Sequence, residues 1–222
     1  MSNNQIIFLS HVLSNDTVGY GGRKEFNTGS TLSIAKGDSC NQSEWHLSNH
    51  VGTHIDSPFH FSINGKKIDN FEASFWIFTK THLVDLPTAE AVVIEKDEWV
   101  EKIPTDCDLL LIKTGFESRR NTVDYWAHNP GLSPALGLWL REFRPSIRVI
   151  GFDFISITSY DHRPLGRVAH HSFLHEDHVG HPILAIEDMH LTELEHSPRR
   201  VTVSPLRILD SDGSPVTVIA EI

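Results

Sequence analysis

The stretch "NHVGTHIDSPFHF", residues 49–61, gathers His50, His54, Asp56 and His60 around Gly52 and Pro58. Imidazoles and carboxylates are the side chains that bind divalent metals and move protons near neutral pH. All four positions are even-numbered, so an extended strand turns them to one face. Four residues of strand nevertheless span about 13 Å, too far for two side chains to meet on one ion at bonds of about 2.0–2.2 Å. A helix aligns His50 with His54 but swings Asp56 away. Gly52 removes the conflict, because a positive φ there bends the chain and draws His50 back toward His54 and Asp56. Pro58 then stiffens the exit and holds His60 by the same cavity. The expected result is a bent strand-to-loop segment presenting two imidazoles and a carboxylate to one point: a metal site. Chance pairing in a chain with 15 histidines explains two of them four apart. It does not explain a carboxylate and a further histidine in register around a kinking glycine.

The rest of the chain must position those groups. Its 222 residues fit one domain, 1–222, since a single core still grows at this size. A hydrophobic share of 39% with 22% charged residues describes an ordinary globular protein rather than a disordered one. A formal charge of −10 argues against a nucleic-acid partner, which wants a basic face, and leaves a small molecule or a protein. "MSNNQIIFLSHVL" has neither the basic start nor the apolar run of a signal peptide, and no stretch approaches the roughly 18 apolar residues of a membrane span. Cys40 and Cys107 are far apart and form no disulfide framework or zinc spacing. The expected home is reducing and cytoplasmic.

Short apolar runs separated by turns read as strands: "IIFLS" at 6–10, "THLVDL" at 81–86, "LLLIK" at 109–113, "IRVIGFD" at 147–153 and "PILAIE" at 182–187. "RRVTVSPLRIL" and "SPVTVIAEI" read as a hairpin or neighbouring strands, with Asp212-Gly213 as turn chemistry. Two segments read as helices. "EKDEWVEKI" (95–103) is acidic at its start, and "SPALGLWLREF" (133–143) has Ser133 as N-cap, Pro134 at the first helical position and apolar residues at the helical period. Strands mixed with a few helices indicate an α/β class, a mixed β-sheet core flanked by helices, whose strand order the sequence does not supply.

"HVGTHIDSPFHF" resembles the His-x-Gly-Thr-His-x-Asp-x-Pro-x-His-Phe signature of the cyclase family of metal-dependent hydrolases, which includes bacterial kynurenine formamidase and isatin hydrolase. "LSHVLSNDTVGYGG", "LLIKTGF", "NPGLSPALGLWL", "VIGFDFISI" and "SPVTVIA" look like further blocks of that family, so the resemblance runs along nearly the whole chain. It implies the family's swivelling β/α/β fold and association as a homodimer or homotetramer. It places Tyr20 at an aromatic position of the substrate pocket. It also implies that a histidine in "VAHHSFL" and the glutamate in "PILAIEDM", His170 and Glu187, complete the metal site. A register shift of one would substitute His171, and "HEDHVGH" is longer than the usual spacer between the two ligands.

The implied ligands are therefore His50, His54, Asp56, His170 and Glu187. Five groups with two carboxylates exceed one tetrahedral zinc, so two ions bridged by Asp56 or Glu187 is the preferred reading. Zn²⁺ is expected, as one or two ions; single-ion relatives often use Mn²⁺, which this donor set also suits. An ion brings the pKa of its water toward about 7, and the hydroxide attacks an amide carbonyl polarised by the metal. His60 is implied as the general acid/base that protonates the departing nitrogen, with an extra ligand or an orienting group as its alternative.

The implied function is hydrolysis of a C–N amide bond in a small aromatic or cyclic amide. The alternatives are a metal-dependent cyclase or dehydratase, and a non-catalytic metal- or ligand-binding homologue. Phe59 and Phe61 flank His60 and are expected to wall the pocket, which would favour a flat substrate. Trp76 follows the motif closely enough to line it as well. Asp153 is expected to bind strand-end backbone amides or, alternatively, to orient a ligand histidine. His46 shares the parity of His50 and either faces the cavity or is a satisfied core histidine. The His-rich 175–181 segment reads as a polar loop, with substrate or subunit contact as the alternative.

Overall fold

"LLLIK", "VIGF" and "LAIE" are apolar without alternation, as strands covered on both faces must be. They form the middle of the sheet in a computed structural model that describes residues 5–222. In chain order the strands are β1 (Ile6–Phe8), β2 (Phe26–Leu32), β3 (Gln42–Leu47), β4 (His54–Asp56), β5 (Ile77–Phe78), β6 (Thr81–Asp85) and β7 (Val93–Ile94). β8 (Leu109–Lys113), α1 (Asp124–Ala127), β9 (Gly131–Leu132), α2 (Pro134–Phe143), β10 (Val149–Phe152) and α3 (Arg163–Leu174) follow. β11 (Leu184–Glu187), β12 (Arg200–Pro205) and β13 (Gly213–Glu221) complete the chain.

The main sheet has the order β5-β12-β13-β4-β11-β10-β8-β6, with β1 also paired to β13. β6, β8, β10 and β11 are parallel, while β4 runs antiparallel to both β11 and β13. The expected α/β class with a mixed sheet and few helices is what the chain forms. One face packs Leu110, Ile112, Ile150 and Phe152 against Leu136, Leu140 and Phe173 of α2 and α3. The other packs Leu109, Leu111, Val149 and Ile186 with Trp76, Phe78 and Val201. β2 and β3 form a separate antiparallel ribbon.

Ser133 caps α2 as expected, its hydroxyl accepting from Leu136 N at 3.1 Å. The helix expected over 95–103 is only a 3₁₀ turn at Glu98–Lys102. Val100 and Ile103 are the buried residues there, too few to make an apolar stripe, and Pro104 stops the run. β12 and β13 are antiparallel neighbours, as expected. Asp212-Gly213 is not their tight turn, because residues 206–212 form a longer excursion between the two strands.

Candidate metal centre

Strand register builds the centre. β4 pairs with β11 so that His54 lies directly across from Glu187 and Asp56 across from Ala185. His54 and Asp56, two apart on a strand, share a face. α3 supplies the third wall. Gly166, Ala169, His170 and Phe173 form its buried side, which turns His170 inward. His171, one position on, instead stacks on His175 at 4.0 Å and meets His178 Nε2 at 2.9 Å.

The donor atoms converge. His54 Nδ1–H donates to the Gly52 carbonyl at 2.8 Å. His170 Nδ1–H lies 3.0 Å from both the Gly166 carbonyl and the Thr158 hydroxyl. Each ring is thereby left with Nε2 facing the carboxylates. His54 Nε2 is 3.4 Å from Glu187 and 3.5 Å from Asp56; His170 Nε2 is 3.6 Å from Glu187 and 3.7 Å from Asp56. Two donors on one tetrahedral ion with bonds of about 2.0–2.2 Å sit roughly 3.3–3.6 Å apart, so the spacing fits a metal. Among the described residues three triads arise here: His50–His54–Asp56 and Asp56–His170–Glu187, which share Asp56, and His50–His60–Asp212, which shares His50 with the first. Glu187 is oriented by Ile157 N at 2.8 Å and Ser156 Oγ at 3.3 Å.

Gly52 takes φ +64°, as the kink requires. The bend brings His50 Nδ1 to 2.8 Å from Asp56 Oδ1. Behind it, His50 Nε2–H donates to Asp212 Oδ2 at 2.9 Å, a carboxylate–imidazole pair of the kind that orients metal ligands. His60 Nδ1 reaches the same Asp212 oxygen at 2.9 Å, while Asp212 Oδ1 accepts from Asn49 at 2.9 Å. Gly213 permits this approach, since a Cβ there would meet His50 Cε1 at 2.6 Å. Asp212 escaped the sequence reading because an Asp-Gly pair between two strands is ordinary turn chemistry.

Electrostatics agree with the donor set. Burial opposes protonation of His50, but Asp56 and the hydrogen bond to Asp212 outweigh it and raise its pKa to about 10. Burial also opposes charge on His54 and His170, yet Glu187 and Asp56 raise both. Burial pushes Asp56 and Glu187 up; their imidazole neighbours more than offset it and hold both carboxyls below the usual range. Hydrogen bonds from His50 and His60 hold Asp212 far below it as well. A divalent ion binding such a donor set competes with protons for the same nitrogen and oxygen atoms.

His50, His54, Asp56, His60, His170 and Glu187 line a cavity of about 260 Å³ together with Tyr20, Phe61, Arg23, Glu25 and Ser48. The Tyr20 hydroxyl is buried there with no hydrogen-bond partner, and burial raises its pKa to about 12. Phe61 stacks on His170 at 4.7 Å. Phe59 does not line the cavity; its ring lies beneath Lys67 Nζ at 4.8 Å, because neighbouring side chains diverge by about 120° around a 3₁₀ turn.

Trp76 belongs to the core on the other face of the sheet, and His46 is exposed on β3. Asp153 accepts from Thr114 N and Gly115 N at 2.8 and 2.7 Å, so it binds strand-end amides rather than a ligand histidine. The 175–181 loop wraps the buried Arg141 guanidinium, which donates to the carbonyls of His175, His178, Val179 and Gly180. None of its residues lines the cavity.

Known proteins share this arrangement of chain. Isatin hydrolase A from Labrenzia aggregata, solved with benzyl benzoate bound, superposes with a TM-score of 0.79 at 20% identity, over 98% of this chain and 93% of that one. A structure described as a potential metal-dependent hydrolase with cyclase activity superposes at 0.73 with 18% identity, over 98% of this chain and 97% of that one. A kynurenine formamidase of Bacillus thuringiensis subsp. konkukian (strain 97-27) is 30% identical over 223 residues, covering 99% of this chain and 98% of its own length. The Cyclase family model matches residues 7–159, the part that carries the His50–His60 motif, and the formamidase extends the match through His170 and Glu187. The resemblance along the sequence is thus a relationship of the whole chain, which belongs to the Cyclase family.

Proposed function

We propose that this chain is a metal-dependent amidohydrolase cleaving the C–N bond of a small aromatic or cyclic amide. The carrying observation is that Asp56 belongs to two ligand triads in one cavity, with His60 beside them. His50, His54, Asp56, His170 and Glu187 are assigned as the ligands of a divalent metal. They would hold one or two Zn²⁺ ions, two being preferred, and Mn²⁺ is the alternative occupant.

When bound, the metal polarises the amide carbonyl and makes a nucleophilic water available near neutral pH. His60 moves the protons. Its Nδ1–H is held by Asp212, which leaves Nε2 free to accept the proton of the attacking water and return it to the departing nitrogen. Water thus adds across the C–N bond, oxygen to the carbonyl carbon and hydrogen to nitrogen. A cavity of about 260 Å³ is just below the usual range of ligand pockets, about 300–1,000 Å³, and suits a compact substrate. Phe61 offers a flat apolar wall, and the partnerless Tyr20 hydroxyl offers a hydrogen bond. The formamidase relative favours an aryl formamide, and hydrolysis over cyclisation or dehydration.

A homodimer or homotetramer is part of this proposal. Trp45 on the β2–β3 ribbon is 63% exposed and Phe8 on β1 is 62% exposed, and both border a wide apolar groove. Large exposed apolar patches of this kind mark association surfaces. The compartment we propose is reducing and cytoplasmic, in keeping with two free cysteines. Among the described residues, no helix is long and apolar enough to cross a membrane.

The test is hydrolysis of an aryl formamide and of isatin by protein loaded with zinc or manganese, with product mass and metal content measured together. Metal-dependent gain of one water supports the proposal. Metal-loaded protein that turns over neither amide, or protein that binds no metal, overturns it.

A further inference from the structure

On the other side of β4 from the centre's ligands, Thr53 ties the N-terminal segment to the ends of the sheet: its hydroxyl oxygen accepts from His11 N at 2.9 Å and donates to the Asp188 carbonyl at 2.5 Å. Here His11, Glu117 and His190 bring one ligand atom each within 4.8 Å of the others. They come from the segment after β1, the 3₁₀ turn after β8 and the loop after β11.

Glu117 is oriented for two imidazoles. Its Oε2 accepts from Leu191 N and Thr192 N at 2.9 Å and from Thr192 Oγ1 at 2.8 Å. That leaves Oε1, which His190 Nδ1 contacts and from which His11 Nε2 stands 3.6 Å away. His11 Nε2 is a buried nitrogen without a hydrogen-bond partner. A gap of 3.6 Å exceeds a hydrogen bond but matches the separation of two donors on one tetrahedral ion, roughly 3.3–3.6 Å for bonds of about 2.0–2.2 Å. It also matches the separations in the Asp56 centre, 3.4 to 3.7 Å.

His190 Nε2 lies 3.5 Å from Glu193 Oε1, so a carboxylate stands on the side of the ring where metal-bound histidines usually have a partner. The charges around the cluster are Glu117, Glu193 and Asp188 against Arg120, engaged by Asp188 at 2.8 Å, and Lys113, whose Nζ donates to the Thr192 and Leu194 carbonyls at 3.1 and 2.8 Å. The balance is negative and favours a cation. His11 and His190 border the cavity of about 870 Å³ next to the β2–β3 ribbon, which leaves space for a fourth ligand such as water.

We propose that His11 Nε2, Glu117 Oε1 and His190 Nδ1 form a second divalent-metal site, separate from the Asp56 centre, which takes a zinc-class ion. Two imidazoles, one carboxylate and an open position is a ligand set zinc accepts. The ion clamps the N-terminal segment onto the ends of β8 and β11. Coordination draws the His190 ring back from its direct contact with Glu117, so that both imidazoles stand at ligand distance. The site does not depend on the amidohydrolase reading.

Crystals of wild-type protein grown with zinc, measured at the zinc absorption edge, test it directly. An anomalous peak between the three atoms is expected. Its absence there overturns the proposal whatever the Asp56 centre shows, and identifies the cluster as a plain carboxylate–imidazole pair. In solution, equilibrium dialysis against zinc compares wild type with His190→Asn and Glu117→Gln, each checked for native circular dichroism. Loss of one ion per chain in both variants supports the site, and a wild-type count in either overturns it.

Discussion

Asp212 Oδ2 lies 2.9 Å from His60 Nδ1 while the same oxygen holds His50 Nε2 at 2.9 Å. One carboxylate oxygen therefore orients both a proposed ligand and the proposed proton carrier, and the two rings stand 4.1 Å apart. Asp212→Asn leaves an amide that cannot accept from both imidazoles through charge-assisted bonds. A loss of about 10- to 100-fold in activity or metal affinity is expected, as for other groups behind metal ligands. Amide hydrolysis and metal content measured on the same sample check this, and activity within twofold of wild type would remove Asp212 from the site.

His60→Ala separates proton transfer from ligation. Activity is expected to fall by about 10²–10⁴-fold with metal content unchanged. A variant that loses an ion as well would make His60 a ligand instead.

Chelation should cost stability as well as activity. Asp56 and Glu187 are 1% and 3% exposed, and a cation bound to the folded state alone stabilises it by mass action. Melting curves after chelator treatment should shift upward with added zinc, by about 2.7 kcal/mol at 100 times the dissociation constant. A melting temperature indifferent to metal would refute the linkage.

Gly52→Ala should destabilise the fold by about 1–3 kcal/mol, because φ of +64° is strained for any residue with a Cβ. The added atom would also meet Leu13 Cδ2 at 2.3 Å. Urea denaturation of the two proteins measures the difference, and an unchanged midpoint would show that the bend relaxes freely.

The two thiols should differ in reactivity. Cys40 is exposed, whereas Cys107 is buried and its pKa is pushed up to about 12 by that burial. A raised thiol pKa keeps the group neutral below that pH, and the thiolate is the reactive form. Thiol titration of folded protein at pH 8 should count one fast cysteine and a second only after denaturation.

What the sequence by itself determined is local. The bend at Gly52 follows from a glycine between ligand-type residues, the cap of α2 from Ser133-Pro134, and the central strands from unbroken apolar runs. Each rests on neighbours a few residues apart, where backbone preference and period suffice. Only the tertiary structure decided which side chains meet across long separations. Asp212 reaches His50 because β13 pairs with β4 in the register Gly213 opposite Asp56. His170 rather than His171 faces the cavity because α3 packs its Gly166–Ala169–Phe173 side inward. Phe61 lines the cavity and Phe59 does not, by the sense of one 3₁₀ turn. Of the 175–181 histidines, so prominent in composition, His175 and His178 turn their carbonyls to Arg141, a residue 34 positions before His175, and His181 reaches the Ile147 carbonyl instead. Sheet register and helix facing are set by the burial of the whole core, and no short window of sequence contains that information.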